Sequence, residues 1–381
     1  MNYDYSDIAP YENRTFHDAI DRLKQYPQLM ENFTDIISRH GRLVNAYRSL
    51  GAKKQLRAAL DAVNSYDDFQ RIITCNIFLD TIEKSSIDNL TVGGVENLDD
   101  KPHVYISNHR DIVLDTALLD YVLNKNGRQM CEMVIGDNLL VNQFVTDLFK
   151  VNGAITVKRT ASSSSELKNI TEKLSSYLIY CVTEKKKSIW IAQKSGRSKD
   201  GIDNTSPAIF KMMYLDARNN GVAFSDFLNR MSVVPVSISY QYDPCDVTKS
   251  HEQIKKLKAE GCYDVYKKKK YADILDMVRG LRLYKGNVHI QLGKPLCASI
   301  DNVRDAVRET DRQIHENYRL WNTNWLCYDI LEKQDSNADK YKDLNKSTFL
   351  KKYSGYGPEV LDYVLNQYAN PVRSMLNEKN S

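Results

Sequence analysis

The stretch His103-Val104-Tyr105-Ile106-Ser107-Asn108-His109-Arg110-Asp111-Ile112-Val113-Leu114-Asp115 decides the fold. Its first five residues have strand character, and a polar run follows before apolar residues resume. A strand that empties into a polar loop places side chains at the C-terminal edge of a sheet, where open α/β folds bind ligands. Six further β-rich segments lie outward from it: Leu90–Val95, Glu132–Gly136, Ala154–Lys158, Ser188–Gln193, Val233–Tyr240 and Asn287–Leu292. Helical patterns separate them. This alternation predicts an α/β fold with a mixed, largely parallel sheet flanked by helices.

One connecting helix is marked by Ser163 and Glu166, a capping-box pattern ahead of Leu167, Ile170, Leu174, Leu178 and Cys181. From Phe16 to about Lys84 apolar residues recur at helical spacing, as in Phe69, Ile72, Ile73 and Ile77. Past Leu296 strand signals fade into mixed helix and loop. The expected organisation is a helical N-terminal region (1–85), an α/β domain (86–300) and a helical C-terminal extension (301–381).

Composition bounds the function. With 381 residues, 42% of them hydrophobic, the chain can bury a core, and scarce Gly (16) and Pro (9) favour long regular elements. Seven cysteines form no C-x-x-C pair, and the first residues carry no charged-then-apolar leader, so reduced thiols and a cytoplasmic location are expected. The longest near-candidate, the eight residues Val233–Tyr240, suits a strand and is far short of a membrane span. Any membrane contact is expected to be peripheral.

The net charge of +4 is unevenly placed. Residues 1–100 carry 11 Lys/Arg against 16 Asp/Glu, whereas residues 249–294 carry 12 against 5, with Lys267–Lys270 uninterrupted. Such a basic pole suits anionic lipid, an acidic carrier protein or simple solvation. No nucleic-acid-binding module accompanies it, and no nucleic-acid partner is expected. The tyrosines Tyr263, Tyr266 and Tyr271 read either as interfacial residues or as core of their helices.

Four segments can carry chemistry. In Asn108–Asp115, His109 can take a proton from a hydroxyl if a carboxylate fixes its tautomer, and Asp111 and Asp115 are both near. The same segment also reads as a helix start capped by Asn108 or Asp111. Gly153–Arg159 ends in Lys158 and Arg159, a point charge beside a fork suited to phosphate, or else two solvated cations. Lys194–Gly201 offers Lys194, Arg197, Lys199 and Ser198 around Gly196, which permits close backbone approach. It lacks the spacing of a Walker loop, and no G-x-G-x-x-G follows a strand. Val233–Tyr240 is a strand with Pro235 near its start.

Taken in order, NHRDIVLD (108–115), GAITVKR (153–159), KSGRSKDG (194–201) and VVPVSISY (233–240) resemble the four-motif series of the glycerolipid acyltransferases, which include the glycerol-3-phosphate and lysophosphatidic-acid acyltransferases. The resemblance spans about residues 90–295. It implies an O-acyltransferase of phospholipid biosynthesis, peripheral on the cytoplasmic face of a membrane. Its acyl donor would be acyl-carrier protein or acyl-CoA, and its acceptor a glycerolipid precursor such as lysophosphatidic acid or glycerol 3-phosphate. His109 would be the general base, held by an Asp. Lys158, Arg159, Lys194, Gly196, Arg197 and Ser198, with Asn108 and Arg110 beside the base, would bind the acceptor, and Pro235 would shape the site. The resemblance implies no metal and no cofactor beyond the thioester co-substrate.

Two departures qualify the transfer. The family's His–Asp spacing would put the carboxylate at position 114, which is Leu here; Asp115 follows one residue later and is the expected partner, with Asp111 as rival. The family's third motif also carries a Glu before its Gly, where this chain has Lys194 and Ser195. That change leaves open an amino-acid-based or other non-phosphate acceptor, or an inactive lipid-binding protein of the same fold.

Overall fold

The computed structural model describes residues 3–26, 45–159, 161–259, 268–269 and 271–380. Seven strands form one sheet: β1 (Ile87–Gly93), β2 (Val104–Ser107), β3 (Cys131–Gly136), β4 (Ala154–Val157), β5 (Ser188–Ala192), β6 (Val233–Tyr240) and β7 (Gly286–Leu292). Their order is β1-β7-β6-β2-β5-β3-β4. The five strands from β6 to β4 are mutually parallel, while β7 runs antiparallel to β6 and parallel to β1. The sheet is therefore mixed and mostly parallel, and the C-terminal ends of β2 to β6 share one edge.

Strand side chains alternate between two covered faces, as period-2 geometry requires. Tyr105, Met133, Ile135, Trp190 and Val234 join a core with Leu114, Leu118 and Met277. Val104, Ile106, Val134, Ile189, Ile191 and Val233 join an opposite core with Leu174, Leu178, Phe210 and Phe227. Every residue of β6 is buried, Ser237 and Ser239 included, which explains its mostly apolar reading.

The helical N-terminal expectation falls on Asn13–Gln25, Asn45–Ala62 and the consecutive helical pieces Tyr66–Asp68, Phe69–Leu79 and Asp80–Ser86. These pack Phe16, Ile20, Leu23, Leu56, Leu60 and Phe69 together. The segment ahead of them behaves differently: Ile8 enters the sheet's core, its carbonyl accepting from the Thr156 N–H at 2.8 Å and from Lys150 Nζ at 2.8 Å. The helix Ser164–Thr183 starts as expected, with Ser163 Oγ accepting from the Glu166 N–H. Glu166, however, bonds the N–H of Ser162 rather than that of Ser163, so the reciprocal half of the box is displaced by one residue. The C-terminal helices Asn322–Glu332 and Pro358–Asn380 bury Leu326, Val364, Leu365 and Tyr368 against Ile254. Tyr263 and Tyr266 lie outside the described residues. Among the described residues no helix is long and apolar enough to cross a membrane, and no cluster suited to a metal ion occurs.

Candidate active site

β2 delivers the loop Asn108–Val113 to the C-terminal edge, and the helix Leu114–Lys125 carries the chain away. Asp111 closes this turn, its Oδ1 accepting the N–H groups of Val113 (3.0 Å) and Leu114 (2.9 Å). Asp115 then falls in the first helical turn, where the helix dipole favours a carboxylate. The extra residue between histidine and aspartate is taken up by this turn.

His109 Nδ1 lies 2.9 Å from Asp115 Oδ2. The same oxygen accepts the backbone N–H groups of Arg110 (2.6 Å) and Asp111 (2.9 Å). Asp115 Oδ1 accepts from the Tyr240 hydroxyl at 2.9 Å. A fully buried carboxylate held by four donors has little freedom, so it fixes the imidazole plane and the Nδ1–H tautomer. His109 Nε2 has no hydrogen-bond partner among the described residues, and the side chain keeps 13% of its surface exposed. Trp190 meets the imidazole edge-on at 5.7 Å between ring centres and donates Nε1–H to Ser107 Oγ. The Ser198 N–H donates to the His109 carbonyl at 2.7 Å, tying the third motif to the first.

Asp111 does not reach the histidine. Burial, and then the adjacent Asp115, push its carboxyl above the usual range. Its Oδ2 is buried without a partner, pressed by Gly280, where a Cβ would come within 2.2 Å of that oxygen.

The basic residues divide. Arg110 is buried, pairs with Asp203, and lies 5.1 Å from the Tyr318 ring. Asn108 is likewise internal, donating to Asp203 Oδ2 (3.1 Å) and the Ile238 carbonyl (3.0 Å) and accepting the Ile238 N–H (2.8 Å). Both stitch the loop to its surroundings. Arg197 gives one amino group to Asp276 at 2.6 Å while Nη1 is buried and unpartnered. Ser198 Oγ is absorbed locally by Asp200 and the Ile202 carbonyl, and Lys194 Nζ by the Ile202 carbonyl. Gly196 adopts φ +78° in open space, so the turn itself demands glycine.

Lys158 and Arg159 stand at the end of β4, three strand positions from β2 in the sheet order. Lys158 pairs with Asp7 at 2.6 Å. Arg159 is exposed and lies over Gly136; its guanidinium forms no ion pair among the described residues. Pro235 sits inside β6 opposite Ile106 and influences the site only through the strand that presents Ile238 and Tyr240. The structure thus gathers His109, Asp111, Asp115, Asn108, Arg110, Arg197 and Ser198, and leaves Lys158 and Arg159 at the sheet's margin.

Tyr240, Trp190, Asp203 and Asp276 complete the site without having been singled out by sequence. Tyr240 and Trp190 each occupy a strand within a quoted motif region. Asp203 and Asp276 are isolated carboxylates whose pairing is a product of tertiary structure, with no local signal.

Residues 89–239 match the acyltransferase family model, a span that holds the first three motifs and all of the fourth but Tyr240. The chain is also similar to the crystal structure of the 1-acyl-sn-glycerophosphate (LPA) acyltransferase PlsC from Thermotoga maritima, at 13% identity over 78% of this chain and 91% of that one, with a TM-score of 0.36. No curated protein matches. On this match the chain carries an acyltransferase domain over residues 89–239.

Proposed function

We propose that the protein transfers a fatty acyl group from an acyl thioester, on acyl-carrier protein or acyl-CoA, to a hydroxyl of a glycerolipid precursor such as lysophosphatidic acid or glycerol 3-phosphate. The observation that carries this reading is the His109–Asp115 contact, with Nδ1 committed to the carboxylate and Nε2 left free. Nε2 accepts the acceptor's hydroxyl proton as its oxygen attacks the thioester carbonyl. Asp115 steadies the imidazolium, and collapse of the tetrahedral intermediate expels a thiolate, which takes the proton back from Nε2. No enzyme-bound acyl group, metal or cofactor is required. Arg159, exposed and without an ion pair among the described residues, is the cation open to an anionic head.

A second reading has its own support. Arg110 is neutralised by Asp203, Arg197 is half-committed to Asp276, and the third motif lacks its Glu. Those features favour an acceptor with little or no phosphate, such as an amino-acid-based lipid. The experiment is an assay of the purified chain with palmitoyl-CoA or palmitoyl-acyl-carrier protein and either lysophosphatidate or phosphate-free hydroxylated lipids. Faster turnover of lysophosphatidate, with a KM raised about tenfold or more in Arg159→Ala, supports the phosphate-bearing acceptor. Faster turnover of the phosphate-free lipid, with Arg159→Ala silent, supports the second reading, and no transfer from either donor contradicts both.

A further inference from the structure

The helix Ala272–Arg282 has two unlike faces. Its inner face carries Asp276, Met277 and Gly280: Asp276 holds Arg197 at 2.6 Å, and Gly280 packs on Asp111. Its outer face carries Leu275 (55% exposed), Val278 (38%) and the exposed cation Arg279, continuing into Leu283 (47%) and Tyr284 (53%). Of the ten large hydrophobic side chains exposed among the described residues, five fall between Tyr271 and Tyr284. Single exposed apolar residues are ordinary, but such a concentration on one helix and its exit marks a surface that meets something apolar.

We propose that this face docks the enzyme on an anionic phospholipid bilayer. The inference rests on the acyltransferase reading of the site and names the surface from which its lipid acceptor arrives. Three observations favour a membrane. The exposed residues are aliphatic with a tyrosine at the edge, the pattern of a helix lying in the headgroup boundary. Lys269 and Arg279 are exposed on this segment, a charge complement to acidic lipid. Leu283 and Tyr284 also line a cleft of about 540 Å³ shared with Tyr242, Val247 and Tyr356, so the apolar face continues inward. Arg197 and Asp111 meet the opposite face of this helix, so docking would hold them about one helix diameter from the bilayer.

The full chain is sedimented with vesicles of phosphatidylcholine alone and with about a third phosphatidylglycerol, at low and high salt. Preference for the anionic vesicles, weakened by salt, is expected. The triple variant Leu275→Ser, Val278→Ser, Leu283→Ser is expected to reduce partitioning about tenfold or more. Arg279→Glu alone reduces it by a smaller factor. In parallel, Tyr284→Trp reports on burial directly, its emission shifting to the blue on anionic vesicles and being quenched by brominated lipid. Turnover of water-soluble short-chain substrates stays unchanged in the triple variant, whereas turnover of vesicle-borne acceptor falls with partitioning. Loss of both activities in a folded variant would mean that this face belongs to the catalytic machinery, overturning a docking role. Undiminished partitioning of the triple variant, or a wild-type dimer that the triple variant dissociates, overturns the proposal as well. Absence of transfer by the wild type on any substrate would undo the acyltransferase reading while leaving the vesicle result to stand or fall by itself.

Discussion

The hydroxyl of Tyr240, last residue of β6, donates to Asp115 Oδ1 at 2.9 Å, so the carboxylate that orients His109 is braced by a strand 125 residues further along the chain. Burial, and then Asp115, hold the Tyr240 phenol well above its ordinary pKa, so it stays a donor. On the proposed mechanism Tyr240 is a positioning residue that acts on His109 through Asp115. Tyr240→Phe keeps the ring packing and removes one bond, costing about 1–2 kcal/mol of stability. Turnover should fall roughly three- to thirtyfold with KM unchanged, as read from steady-state kinetics.

Asp111 and Asp115 are separable by one pair of variants. Asp115→Asn presents the wrong group to Nδ1 and should lower kcat by about two to four orders of magnitude. Asp111→Asn retains an oxygen for the Val113 and Leu114 N–H groups and should remain within severalfold of wild type. Equal losses in both would remove the distinction drawn from the geometry.

The Arg110–Asp203 pair predicts a stability effect. Both side chains are buried, and Asp203 Oδ2 also accepts from Asn108. Asp203→Ala strands a buried guanidinium and should cost about 3–5 kcal/mol in denaturant unfolding. Adding Arg110→Met should recover much of that loss, because it removes the charge that the single variant leaves behind.

Asp120 predicts a pH signature. It is buried in the helix Leu114–Lys125, with Oδ1 on the Cys131 N–H at 2.7 Å, and burial raises its carboxyl from 3.8 to about 7. The folded chain therefore binds this proton more tightly than the unfolded chain. Its contribution to stability is full below about pH 4 and is lost as pH rises to about 7, a span worth about 4 kcal/mol. Asp120→Asn should flatten that part of the stability profile, raising the thermal midpoint at pH 8 and changing it little below pH 4.

All seven strands are legible from apolar texture, and β6 is legible end to end, its only polar residues being the small, buried Ser237 and Ser239. The other strand ends shift by one to three residues where loops begin with strand-like side chains, as at Ile87 and Val95. Sheet order is not legible: β7 running against β6 depends on pairings such as Ile238 with Ile290, which no local pattern encodes. The contact of His109 with Asp115 is the one the resemblance anticipates, with Asp111 as rival, although the family's spacing points to Leu114. Arg110 and Arg197 read as acceptor ligands because Asp203 and Asp276, 93 and 79 residues away, give no sign in sequence that they will neutralise them. Ile8 is hidden for the same reason, its place in the core depending on β4.

The central claim is that His109 Nε2 takes the acceptor's proton, and the most direct measurement is the rate of acyl transfer from a palmitoyl thioester to lysophosphatidate and to a phosphate-free lipid alcohol by wild type and His109→Ala. The account predicts that the variant folds with unchanged thermal midpoint and loses about three orders of magnitude or more in kcat on whichever acceptor the wild type uses. A folded His109→Ala protein that retains transfer near the wild-type rate would contradict it.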